Sequence, residues 1–195
     1  MPLTYFWNWR GNPAEKKLWG RCYLLFIVSL FYYYRESSYK LLLYSIKYKG
    51  NKDLAYYLGH YLGTLMKKSS SYFSHNIDYL IPVPLHPRKK RQRGYNQASI
   101  IAKGLSDVLK IPINESILYR NKYTKTQTKI HMGNKWENVN NVFSTKNQNI
   151  LKNKSILIVD DVLTSGSTAE ACYQTLNKIK GIRISLATIA YIESD

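Results

Sequence analysis

Two adjacent carboxylates, Asp160 and Asp161, stand where the apolar run Ile156–Val159 ends, and the loop after them is built from small donors: Thr164, Ser165, Gly166, Ser167 and Thr168. Like charges side by side at a strand end repel, so the pair needs partners. A loop opening into a helix offers unpaired backbone N–H groups and the positive end of the helix dipole, both suited to a phosphate. Gly166 lets the backbone approach a ligand, and the four hydroxyls can donate to phosphate oxygens. A phosphate site next to two acids is consistent once a sugar lies between them. The acids then accept charge-assisted hydrogen bonds from vicinal ribose hydroxyls while the loop holds the 5′-phosphate. The bland alternative is a helix-capping loop beside an unrelated acid pair.

A second constellation is the cationic segment "HPRKKRQRGYNQ". Arg88, Arg91 and Arg93 carry fork-shaped charge suited to a polyphosphate, and Gly94 lets the chain come close to one. A solvated charged face or a nucleic-acid patch are the competing readings. The chain lacks G-x-x-x-x-G-K-[ST] and G-x-G-x-x-G, which sets aside a nucleotide-kinase phosphate loop and a dinucleotide fold. A phospho-acceptor receiver domain also carries an acid pair at a strand end, but near its N-terminus, whereas this pair lies in the last fifth. His86 and His131 are lone histidines in polar loops and are not assigned acid–base roles. Cys22 and Cys172 are too far apart in sequence and too few for a metal site or a disulfide framework.

These residues need a frame. "DYLIPVPL" (78–85) reads as a short core strand, the basic segment as a loop, and "ASIIAKGLSDVL" as a helix with Ile101, Leu105 and Val108 on one side. "SILIV" is a second strand. The helix after it carries Ala169, Cys172, Leu176 and Ile179 on one side, and "IRISLATIAYI" alternates as a last strand. Upstream, Ser37 or Ser38 caps a helix bearing Leu41, Leu42 and Ile46, closed by Gly50. A second helix follows, with Leu54, Tyr57, Leu58, Tyr61, Leu62 and Leu65 as its buried stripe. Residues 112–150 read as short strands and a loop. Strands alternating with helices predict a parallel sheet covered on both faces.

The length, 195 residues, suits one sizeable core rather than two. Twenty-nine Lys and Arg against 12 Asp and Glu give +17, which favours anionic partners, although the abundance of Lys, Asn, Tyr and Ile also fits a genome-wide base bias. The apolar stretch 22–34, "CYLLFIVSLFYYY", is shorter than the roughly 20 residues a membrane helix needs. No small-residue cleavage pattern follows it, so it is read as a buried strand or hairpin arm, and the expected location is the cytoplasm.

The string "ILIVDDVLTSGSTAEA" resembles the phosphoribosyl-pyrophosphate (PRPP) signature of type I phosphoribosyltransferases. "IPVPLHPRKKRQRGYNQ", "YSIKYKG", "TQT" and "WENVNNVF" make the chain similar to the ComF family, also called ComFC or GntX-like, from about residue 3 to residue 192. The resemblance implies that Asp160 and Asp161 contact the ribose hydroxyls and that Thr164 to Thr168 wrap the 5′-phosphate. It implies that Arg88, Arg91, Arg93 and Gly94 lie over the pyrophosphate, and that Lys125 and Gln127 belong to a flexible loop, Lys122 to Thr128. Mg²⁺ is implied with PRPP, carried by the ligand rather than by protein ligands. Ser165 stands where many members have Thr, and Lys135 where an Arg is common. Many members begin with a four-cysteine zinc ribbon. This chain starts at "MPLTYFW", about where the sequence after that ribbon would begin, so no zinc is expected. Either the lineage has shed the ribbon or the start lies inside a longer coding sequence.

The expected architecture is a single α/β domain of the type I phosphoribosyltransferase fold, a parallel sheet flanked by helices. Residues 1–36 form a small aromatic hairpin and helical accessory segment, and 37–195 the phosphoribosyltransferase-like domain. The expected function is a Mg²⁺-dependent phosphoribosyltransferase or PRPP-binding protein. The alternatives are a competence-associated DNA-uptake protein that binds single-stranded DNA or nucleotides without turnover, together with other uptake proteins, and a scaffold with a dead site.

Overall fold

The structure is a computed structural model and describes residues 2–34, 39–69, 77–121 and 142–193. Its centre is a four-stranded, all-parallel sheet in the order β1-β6-β5-β2, with β1 at Ile27–Tyr32, β2 at Tyr79–Pro82, β5 at Ser155–Leu163 and β6 at Arg183–Tyr191. β5 lies between two neighbours and is covered on both faces, which is why Ile156–Val159 is apolar without alternation. Successive residues of a strand point to opposite faces. Ile156 and Ile158 accordingly belong to one apolar cluster, with Leu18, Cys172 and Leu176, whereas Leu157 and Val159 belong to another, with Leu58, Leu62, Ile101 and Leu105.

The first cluster packs under α1 (Pro13–Leu18), α6 (Ser167–Leu176) and a small antiparallel pair, β3 (Leu118–Arg120) with β4 (Phe143–Thr145). The second packs under α2 (Lys40–Tyr48), α3 (Lys52–Lys68) and α5 (Gln97–Leu109). α3 and α5 approach each other through glycine. A Cβ on Gly59 would strike the carbonyl oxygen of Ile101, and one on Gly104 would strike the carbonyl oxygen of Tyr56. The buried stripe of α3 is therefore Ala55, Leu58, Gly59, Leu62, Gly63 and Met66, rotated from the expected one, and Tyr57 faces outward.

The aromatic segment is a strand of the main sheet. β1 pairs in parallel with β6, and its other edge takes Leu3 in an antiparallel bridge to Phe31. Trp7, Phe26 and Val28 share a core with Leu157 and Ile189, so residues 2–34 complete the sheet and its packing. Helix α2 starts after Tyr39; Ser37 and Ser38 lie outside the described residues. It buries Leu43 and Ile46, while Leu41 faces solvent. The basic segment is a short helix, α4 (Pro87–Arg93), rather than a loop. His86 caps it by accepting the Arg88 N–H on Nδ1, Pro87 sits at its first position, and Gly94 ends it at φ 78°.

Candidate functional site

β2 ends at its pairing with Val159, but β5 runs on through Leu163, so both acids leave the sheet beyond its shorter neighbour. Alternation then separates them. Asp160 follows the Ile156–Ile158 face and borders an open recess walled by Leu163, Thr164, Gly166, Thr168 and Thr188. Its carboxylate accepts the backbone N–H of Asp161 at 2.8 Å. Burial, and then the charge of Asp161, push its carboxyl up to about 7.

Asp161 follows the other face and is 4% exposed. One of its oxygens meets Lys47 Nζ at 3.2 Å and accepts from Gln97 Nε2 at 3.0 Å. Lys47 comes from the last turn of α2 and Gln97 from the first residue of α5. The Tyr95 hydroxyl donates to the Ile46 carbonyl and ties these two elements together. The structure thus brings Lys47 and Gln97 to the acid pair from segments that no local sequence pattern links to it.

The loop 164–168 is braced from behind by the N-terminal segment. Gly166 has φ 80°, and a Cβ there would collide with the Leu18 side chain of α1. Arg21 donates from Nη1 to the Ser165 carbonyl at 2.7 Å and pairs with Glu170 at 2.5 Å. Lys17 donates to the Thr164 carbonyl at 3.0 Å. With the Thr164 and Ser165 carbonyls tied back, Thr164, Ser165 and Ser167 keep exposed side chains at the mouth of α6, while Thr168 is half-buried in the recess. Lys17, Leu18 and Arg21 were not singled out from the sequence, because a brace 140 residues away leaves no local signal.

Of the expected pyrophosphate residues, Arg88 and Arg91 lie on the exposed side of α4 and Gly94 ends it. Arg93 is half-buried with its guanidinium 5.4 Å from the Tyr48 ring centre. Lys89, one turn earlier on the same side, is the inward cation the sequence did not flag. Burial lowers its pKa, and so do the nearby charges of Arg120, Arg93 and Lys47. Arg120, half-buried on β3, lies 5.3 Å from the Phe143 ring and within electrostatic reach of Asp160. Lys125, Gln127, His131 and Lys135 lie outside the described residues. The Cys22 thiol is pushed up to about 11 by burial, and Cys172 is raised further inside the core, so neither supplies a thiolate near neutral pH.

A β-strand with an acid pair, a hydroxyl-rich turn and a helix mouth, inside a parallel sheet, is the arrangement that family comparison identifies. The family model described as "Phosphoribosyl transferase domain" matches residues 92–195. This chain belongs to that family. Competence protein F of Haemophilus influenzae is 37% identical over 101 residues, 51% of this chain and 44% of that protein. Competence protein ComFC of Bacillus subtilis is 28% identical over 117 residues, 59% of this chain and 44% of that protein. The chain spans a little under half the length of the curated relatives it matches. A purine phosphoribosyltransferase from Pyrococcus horikoshii is 17% identical, with a TM-score of 0.41 over 72% of this chain and 85% of that one. The ComF likeness read from the motifs holds, and the family model covers the half of the chain that carries α5 to β6. The type I phosphoribosyltransferase fold, α/β with a parallel sheet between helices, is the observed one. Among the described residues no helix is long and apolar enough to cross a membrane.

Proposed function

We propose that this protein binds PRPP, or a closely related 5-phosphoribosyl ligand, and transfers its phosphoribosyl group in the cytoplasm. The observation that carries the reading is the recess itself, in which the Asp160 carboxylate faces Thr168 and the α6 mouth. A pentose there has a diol acceptor at one end and a phosphate cradle at the other. Asp160 is the ligand-facing acid in this account, and Asp161 stands behind it. Among the described residues no three His, Cys, Asp or Glu side chains come together as a metal cage. The magnesium of the proposal rides on the phosphate oxygens of the ligand, as a hard cation with few protein ligands does.

Transfer from such a ligand makes the anomeric carbon oxocarbenium-like as pyrophosphate leaves. The work asked of the protein is positional and electrostatic: cations at the leaving group, an acid at the hydroxyls and a covered site. No covalent nucleophile is required. Thermal denaturation with PRPP and Mg²⁺ tests the binding half: ligand at about 100 times its dissociation constant stabilises by roughly 2.7 kcal/mol. Release of pyrophosphate across a panel of nitrogenous acceptors tests the transfer half. No stabilisation by PRPP at millimolar concentration would remove the reading.

A second reading has its own observation. Tyr44 and Tyr48 are exposed on α2 with ring centres 5.1 Å apart, and Arg93 of α4 sits against Tyr48, next to the exposed Arg88 and Arg91. Aromatic faces interleaved with cations suit single-stranded nucleic acid. The competence proteins among the relatives favour this reading, which extends to DNA-uptake partners. Single-strand affinity that falls steeply with salt and drops on Tyr48→Ala supports it; a flat salt response removes it.

A further inference from the structure

Lys47 is placed where a purely structural role explains little. It reaches from the end of α2 to a carboxylate that already has an amide donor in Gln97. A buried ion pair returns little net stability, because the desolvation of both charges offsets their attraction. Lys47 also joins a crowd of like charges. Burial, and then the nearby charges of Arg120 on β3, Arg93 on α4 and Lys47 itself, make protonation of Lys89 on α4 harder. Lys47 and Arg120 also act on the buried Asp160. Cations gathered from α2, α4 and β3 suit an anion that carries more than one charge.

Gln97 adds a separate sign. It is 5% exposed, its Nε2 is committed to Asp161, and its Oε1 is buried with no hydrogen-bond partner among the described residues. The acidic partner fixes the orientation of the amide, so a buried acceptor is left pointing away from Asp161. Buried polar atoms are rarely left unpaired, and one beside an acid pair asks for a donor from outside the chain.

We propose that Lys47 is a diphosphate-binding side chain that serves two anions in turn, the Asp161 carboxylate and the diphosphate of the incoming ligand. The inference rests on the phosphoribosyl reading and deepens it: it assigns to α2, outside the segment matched by the family model, a contact to the leaving group. The cationic cradle is then Lys47, Lys89, Arg93 and Arg120, drawn from three elements, rather than a run of arginines on α4. When the ammonium turns to the diphosphate, Asp161 is freed and joins the already unpaired Gln97 carbonyl in facing the sugar side of the ligand. Binding of the diphosphate and readiness of the second acid are coupled through one side chain.

The test is calorimetric titration of wild type and Lys47→Gln with magnesium pyrophosphate, ribose 5-phosphate and PRPP. Loss of one charge-assisted contact weakens pyrophosphate and PRPP by about tenfold or more in Lys47→Gln, with ribose 5-phosphate within about twofold of wild type. Since Lys47→Gln leaves Asp161 buried without its cation, the double variant Lys47→Gln/Asp161→Asn is titrated with pyrophosphate as well and shows the same weakening. Pyrophosphate binding unchanged in both variants, or absent in wild type, overturns the inference. So does a loss of ribose 5-phosphate affinity in Lys47→Gln equal to the loss for pyrophosphate. A wild type that binds pyrophosphate through Lys47 but neither sugar ligand would instead sink the phosphoribosyl reading and leave Lys47 as a diphosphate contact.

Discussion

The two acids are neighbours in sequence with different surroundings. Asp161 is neutralised by a lysine and an amide, whereas Asp160 faces a recess with its carboxyl held up to about 7. That has a signed consequence for stability. A carboxyl whose folded pKa lies above its unfolded value binds its proton more tightly in the native state. Its contribution is fully present below about pH 4 and is lost as pH rises through about 7. Asp160→Asn removes that loss, so the variant is more stable than wild type at pH 8, and the gap shrinks toward pH 4. Urea unfolding at several pH values measures it, and a gap independent of pH would contradict the environment described for Asp160. The acid pair and loop 164–168 were legible in the sequence because all their residues are contiguous. That Asp160 and Asp161 part to opposite faces was not, because it depends on β5 continuing past β2.

At the scale of elements, the phosphate loop is held in shape by α1 and Arg21. Gly166→Ala sets a Cβ against Leu18 at a backbone angle that L residues rarely adopt. It is expected to cost about 1–3 kcal/mol in a urea melt. Arg21→Ala breaks a partly exposed pair with Glu170 and frees the Ser165 carbonyl. Exposed pairs are worth little, so the stability loss stays within about 1 kcal/mol. Affinity for ribose 5-phosphate falls by contrast, as the loop loses its brace. Equal losses of stability and affinity would make Arg21 a mere staple. The helical character of α4 escaped the sequence reading because six of its seven residues are polar and show no apolar period. Its signals were Pro87 at the start and Gly94 at the end. As a helix, α4 turns Lys89 and Arg93 inward and leaves Arg88 and Arg91 in solvent.

For the whole molecule, the strand–helix alternation from β2 to β6 was legible because buried parallel strands leave unmistakable apolar runs. The place of β1 was not: "FIVSLFYY" identifies a strand, but nothing in it names β6 as the partner. The stripe of α3 was misjudged for a related reason, since Gly59 and Gly63 count as polar gaps in a periodic pattern yet mark the tightest contact. Gly104→Ala forces α3 and α5 apart. It is expected to destabilise by about 1–3 kcal/mol without changing ligand specificity, because the contact lies between the helices and away from the recess. Full stability in that variant would contradict the close approach.

The account stands on a sugar diol meeting Asp160. The most direct measurement is the ratio of dissociation constants for 2-deoxyribose 5-phosphate and ribose 5-phosphate, taken by calorimetry at pH 8 on wild type and Asp160→Asn. Wild type should prefer the intact diol by about tenfold, one charge-assisted hydrogen bond's worth. Asp160→Asn should lose most of that preference. Equal affinity of wild type for the two sugars would contradict the account.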